Sequence, residues 1–157
     1  MNKPVKTYTP LLSEVLTKVN NAKTKDKKIA VLKENDSEAL RMVIKSSFDP
    51  KIKWVLPEGN VPFKPNEAPE GTEHTLLSQE VKRFYHFIEG ADNVTPRMRK
   101  ETMFIQMLEG LHIDEAQVVC YAKDKILHQK YKGLSDAVVK SAFGWTDDYW
   151  MPNGNII

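Results

Sequence analysis

The sequence predicts an all-α fold in a single domain over residues 1–157, and three observations carry that expectation. Apolar residues recur at helical spacing in one segment after another. Most of these segments open on a capping residue and close on glycine, asparagine or an Asp-Pro pair. Alternation of apolar and polar residues is confined to one short stretch around Ile52, Trp54 and Leu56. The expected count is seven helices and at most one short strand, with a long Pro-rich loop at 57–74 and an aromatic tail at 144–157.

The first helix starts at Thr9-Pro10, a cap followed by a residue pre-set for the first helical position. Leu12, Val15, Leu16 and Val19 then fall on one face, and Asn20-Asn21 ends it. A short basic helix follows over 25–33 with Ile29 and Leu32 inside, and Asn35 is expected in a left-handed cap. Asp36 or Ser37 opens the third helix, whose stripe is Leu40, Val43, Ile44 and Ser47. Asp49-Pro50 stops it, because the residue before proline disfavours helical backbone. The segment PEGNVPFKPNEAPEG holds four prolines and two glycines, which forbid a helix and spoil a central strand. Val61 and Phe63 within it point to an ordered loop wrapped on the core.

Thr75 is expected to cap a strong helix carrying Leu77, Val81, Phe84, Tyr85 and Ile88, stopped by Gly90. Thr95-Pro96 repeats the cap-plus-proline pattern ahead of Met98, Phe104, Met107, Leu108 and Leu111. Asp114 with Gln117 resembles a capping box ahead of Val118, Val119, Ala122 and Ile126. Ser135 caps a last helix with Val138, Val139, Ala142 and Phe143. The core is expected to include Leu12, Leu16, Leu40, Val43, Trp54, Val81, Phe84, Ile88, Phe104, Leu108, Val119 and Ile126.

A chain of 157 residues buries enough surface to stand without staples. Its single cysteine, Cys120, excludes an internal disulfide framework and fits a reducing compartment. No apolar run approaches the roughly 18 residues of a membrane span, and the N-terminus lacks the apolar core of a signal peptide. A soluble protein of the cytoplasm, with no membrane partner, is expected. The net charge of +2 neither demands nor excludes a polyanion.

Catalytic and metal chemistry find no footing. The four histidines, His74, His86, His112 and His128, lack ligand spacing. Cys120 sits mid-helix among apolar neighbours, where a structural thiol is the plain reading. Asp114, Glu115, Asp124, Asp147 and Asp148 are explained by helix capping or solvation. Neither a phosphate-binding glycine loop nor a nucleophile elbow is present. No catalytic residue, cofactor or metal is therefore assigned.

Two kinds of binding surface remain. Basic residues cluster at Lys23, Lys25, Lys27, Lys28 and Lys33, at Lys82, Arg83, Arg97, Arg99 and Lys100, and at Lys123, Lys125, Lys130 and Lys132 beside Tyr121 and Tyr131. Lys82, Arg83, Arg97, Arg99, Lys100, Lys123, Lys130 and Lys132 are the candidates for polyanion contact, against the plainer reading of a solvated face. Phe63, Trp145, Tyr149 and Trp150 are the candidates for a protein interface. Folded back, the tail aromatics would instead close the core.

The stretches VLKENDSEALRMVIKSSFDPKIKWVLPEG, VPFKPNEAPEGTEHT and FIQMLEGLHIDEAQVVCYAKDKILHQKYKGL, with VVKSAF, resemble an uncharacterised family of small proteins from T-even-like tailed phages of marine and enteric bacteria. The tail after Phe143 departs from that pattern. The resemblance implies a phage origin and action in the host cytoplasm. It implies no chemistry. The leading expectation is a non-enzymatic phage accessory protein that binds a host or phage protein of replication, transcription or host takeover. The alternatives are a nucleic-acid binder using the basic clusters, an enzyme with an unrecognised acid–base pair, and a virion component.

Overall fold

Leu12, Val15, Leu16 and Val19 are all buried along α1 (Leu12–Asn21), as their spacing requires. The computed structural model describes residues 10–69 and 74–149. Among them are α2 (Lys25–Glu34), α3 (Glu38–Phe48), α4 (Leu77–Glu80), a 3-10 helix (Val81–Phe87), α5 (Arg97–Gly110), α6 (Ile113–Lys123), α7 (Leu127–Lys130) and α8 (Asp136–Phe143). The fold is all-α, one domain with eight α-helices and no sheet among the described residues. The α2 helix packs on α1 and α8, and α3 lies on α6.

The side-chain caps fall where small polar residues precede a helix. Thr24 Oγ1 accepts from Lys27 N at 3.2 Å, Ser37 Oγ from Leu40 N at 3.1 Å and Ser135 Oγ from Val138 N at 3.2 Å. Gly144, at φ 66°, ends α8 in the left-handed conformation that glycine adopts at no steric cost. Gly133 lets the chain pass close to the end of α1, since a Cβ there would lie 2.7 Å from the Val19 carbonyl oxygen.

Several expectations are corrected. The first helix begins after Leu11, one residue beyond Pro10. Asn35 is not left-handed, with φ −110°, and its Nδ2 donates to Val31 O at 2.9 Å. The capping box at Asp114 does not form, because His112 is the cap: its Nδ1 accepts from Asp114 N at 3.1 Å. Lys125, at φ 58°, breaks the long helix expected there, so Leu127 takes the core place and Ile126 is only half-buried.

The largest correction concerns 75–90. Only four residues, Leu77–Glu80, are α-helical before the chain tightens into the 3-10 helix. A repeat of three replaces 3.6, so Val81, Phe84 and Phe87 line up inward and Tyr85 turns out to solvent. Thr75 is not a cap, and its N–H donates to Gly110 O at 2.8 Å. The expected strand around Trp54 reduces to one antiparallel bridge to Ile88, with Trp54 edge-on to Phe84 at 5.3 Å. Trp54, Val81 and Ile88 are half-buried, while Leu12, Leu16, Leu40, Val43, Phe84, Phe104, Leu108 and Val119 are in the core as expected.

Glu115 joins three helices. It is 1% exposed, and its carboxylate accepts from Leu12 N at 3.0 Å and Leu77 N at 3.1 Å. A single side chain of α6 thus satisfies orphan donors at the starts of α1 and α4. Burial raises its pKa against the lowering effect of those two N–H groups.

Candidate binding surface

The proline-bearing loops leave backbone carbonyls without ladder partners, and lysines of the helices supply the missing donors. Lys123 Nζ donates to Pro57 O at 2.6 Å and Gly59 O at 3.2 Å and pairs with Asp124 at 2.5 Å, its side chain fully buried. Lys125 Nζ donates to Ile52 O at 2.5 Å, Asp49 O at 2.6 Å and Ser46 O at 3.3 Å, and burial lowers its pKa. Lys100 Nζ holds Asp92 O at 2.5 Å and Lys45 Nζ holds Tyr149 O at 2.7 Å. An ammonium carries three donors and no acceptor, which suits it to converging carbonyls. Lys100 and Lys123 are therefore internal and do not present charge to a polyanion.

The tail aromatics are internal too. Trp145 and Tyr149 are 6% and 9% exposed, so as described they close the core and offer no face to a partner. The ring of Trp145 lies 4.8 Å from Phe143 and 6.2 Å from Tyr149. Tyr149 OH donates to Asp136 Oδ1 at 2.5 Å, and Lys140 bridges Asp136 at 2.7 Å and Asp147 at 3.1 Å. Burial, with the Asp136 carboxylate beside it, pushes the Tyr149 hydroxyl up to about 12. Trp150 lies outside the described residues. Phe63 is half-buried against the core in the Pro-rich loop.

The remaining chemistry-bearing groups are occupied by structure. Burial pushes the Cys120 thiol up to about 11, which keeps it protonated and unreactive at neutral pH. The rings of His74 and His112 stand 5.3 Å apart. His86 Nδ1 donates to Asp92 Oδ2 at 2.7 Å, and Asp92 Oδ1 accepts from Val94 N at 2.9 Å and Thr95 N at 3.1 Å. The His86 bond first, then the Thr95 and Val94 donors, hold the Asp92 carboxyl far below the usual carboxylate range. The pair staples the turn at 88–96. A cleft of about 250 Å³ opens between the Pro-rich loop and α5, lined by Leu56, Pro57, Val61, Pro62, Phe104 and Ile105.

Large apolar side chains stand exposed at Leu76, 43%, and at three positions within 85–98. Val94 is 92% exposed, Met98 81% and Tyr85 51%. Tyr85 and Val94 are linked through the staple: Tyr85 lies against His86 with ring centroids 4.0 Å apart, His86 binds Asp92, and Asp92 holds Val94, while Met98 follows in the first turn of α5. Lys82, Arg83, Arg97 and Arg99, all exposed, belong to the same 82–99 stretch. Arg83 pairs with Glu80 at 3.3 Å and Arg97 with Glu101 at 3.6 Å, both largely in solvent, while no ion pair to Lys82 or Arg99 occurs among the described residues. Lys130 and Lys132 are exposed elsewhere, Lys130 Nζ 5.5 Å above the Tyr121 ring.

Tyr85 was expected on the apolar stripe with Leu77, Val81, Phe84 and Ile88, Met98 among the apolar residues of the next helix, and Val94 carried no expectation. A signal for Met98 was present. It stands six positions before Phe104, about 120° off the apolar face, whereas Lys100 stands four before and shares that face. Tyr85 had no such signal, because its position outside follows from the 3-10 geometry.

Comparison with protein-family models matches residues 15–129 to a family described as a family of unknown function (DUF6433). No curated protein and no solved structure matches the chain. Within the matched stretch lie α2 to α6 and the whole 82–99 surface, whereas α8 and the aromatic segment after it lie beyond.

Proposed function

The chain belongs to that family of unknown function, and from its surface we propose that it is a non-enzymatic binding protein. In this reading it is an accessory protein of a tailed phage that engages a host or phage protein of replication, transcription or host takeover, in the host cytoplasm. The observation that carries the reading is the exposure of Tyr85, Val94 and Met98 within 85–98, while His86, Asp92 and Lys123 are spent on internal bonds. Exposed apolar side chains grouped within a basic surround are a feature of docking sites rather than of solvated faces. The word-pattern resemblance to tailed-phage proteins supports the phage assignment. No helix among the described residues is long and apolar enough to cross a membrane.

A second reading, nucleic-acid binding, is favoured by the exposure of Lys82, Arg83, Arg97, Arg99, Lys130 and Lys132, with Tyr121 beneath Lys130. A pull-down of the tagged chain from infected host lysate, with and without nuclease, separates the two. A stoichiometric protein that survives nuclease supports the first reading. Recovery of nucleic acid, with protein partners lost after nuclease, replaces it with the second.

A further inference from the structure

We propose that the 82–99 surface docks an acidic segment of another protein, one that seats an apolar side chain against Tyr85, Val94 and Met98 with carboxylates on either side. The inference rests on the binding reading above and adds the chemistry of the partner. Apolar contact comes from three side chains of different shape, and methionine adapts to whatever packs on it. Tyrosine adds a large, stiff contact area with a polar end.

Charge supplies the complement. Lys82, Arg83, Arg97 and Arg99 flank the three apolar residues in sequence and are exposed. Arg97 and Arg99 also occupy the start of α5, where the helix dipole is positive and acidic residues are favoured. Glu14, Asp26, Glu38, Asp114 and Asp136 occupy the first turns of α1, α2, α3, α6 and α8, whereas α5, like the four-residue α7, has no acid there. Local rules are broken chiefly where function demands it.

Three other occupants fit less well. A nucleic acid would stack on Tyr85 but leave Val94 and Met98 facing phosphates, and aliphatic side chains offer bases no stacking platform. A second copy of the chain would bring two basic surfaces together. An anionic lipid surface would satisfy both the apolar and the basic groups, yet it would not call for a turn fixed in advance. This turn is fixed by Asp92 binding His86, Val94 N and Thr95 N, and by Lys100 on Asp92 O, so docking requires little ordering.

The test uses the whole chain with methyl-labelled methionine, titrated at low salt. The probes are a short Asp/Glu-rich peptide with a central Leu, its Asn/Gln counterpart, a short oligo-dT and phosphatidylserine vesicles. The acidic peptide is expected to shift the Met98 methyl, the Asn/Gln peptide much less, and the paired change Arg97→Gln with Arg99→Gln to weaken the effect several-fold. No shift at Met98 overturns the proposal, and so does a shift produced at lower concentration by oligo-dT or vesicles. In the lysate pull-down, loss of the captured protein on Val94→Ser supports the surface. A captured protein that is fully retained by Val94→Ser with Arg97→Gln overturns the surface and leaves the binding reading intact. Absence of any captured protein from the native chain overturns that reading instead.

Discussion

Lys123 and Arg97 each stand beside a loop that carries proline, and each is a cation on a helix. Lys123 is fully buried and donates to Pro57 O, Gly59 O and Asp124. Arg97 is largely in solvent and pairs with Glu101 at 3.6 Å. The same division runs through the molecule. In the body, Lys45, Lys123 and Lys125 close loops by filling carbonyl sites. On the 82–99 surface, Lys82, Arg83, Arg97 and Arg99 are exposed, Arg83 and Arg97 pair only with carboxylates of their own neighbourhood, and the four flank exposed apolar groups in sequence. Charge serves the fold where backbone acceptors converge, and it is free for a partner where they do not.

The comparison breaks first in the body. Phe84→Ala removes a fully packed aromatic between Trp54 and the core and is expected to cost about 3–5 kcal/mol in urea unfolding. A cost near that of a surface change would mean the 3-10 face is wrong. Glu115→Ala deprives α1 and α4 of their shared acceptor at once, and at about 0.5–2 kcal/mol per lost cap the expected cost is roughly 1–4 kcal/mol. Lys123→Met keeps the volume but leaves Pro57 O and Gly59 O without their ammonium, for an expected loss of about 1.5–3 kcal/mol. Proteolysis within 57–69 should speed up in that variant, and unchanged cleavage there would show that the clamp does not hold the loop.

Two carboxylates sharpen the picture through pH. The pKa of Glu115 is raised by burial, so its contribution is full below its unfolded value of 4.5 and fades as pH rises through the folded value. Glu115→Gln should flatten that part of the stability curve. Asp136 runs the other way. Burial opposes its ionisation, but Lys140 and Tyr149 OH prevail and lower its pKa, so its contribution is full above 3.8 and fades as pH falls through the folded value. Loosening of the segment around Tyr149 on acidification, read by tyrosine and tryptophan fluorescence, should therefore be absent in Asp136→Asn.

Much of this architecture was legible in the chain, and the unread remainder has a common physical cause. Ser37 and Ser135 mark real caps, and the stripes of α1, α3 and α8 bury as their spacing demands. Those features are local. The 3-10 segment was misread because Leu77, Val81, Phe84 and Ile88 fit a 3.6 repeat, whereas the chain turns Val81, Phe84 and Phe87 inward at a repeat of three and sets Phe87 against Phe104 at 5.2 Å. The burial of Lys123 depends on carbonyls 64 and 66 residues away, and the double cap by Glu115 on helices 38 and 103 residues away. Nothing near either residue encodes such partners. The candidate surface was half legible: its arginines stood out by charge, while the exposure of Tyr85, Val94 and Met98 became visible only once the chain was folded.

The smallest expected effect is the most telling. Arg99→Glu puts an acid where the α5 dipole favours one and removes a cation that no ion pair among the described residues engages. If the cations of 82–99 are not part of the fold, urea unfolding of this variant should show a gain of about 0.3–1 kcal/mol. A loss comparable to that of Lys123→Met would contradict the account, because it would place Arg99 among the structural cations of the body.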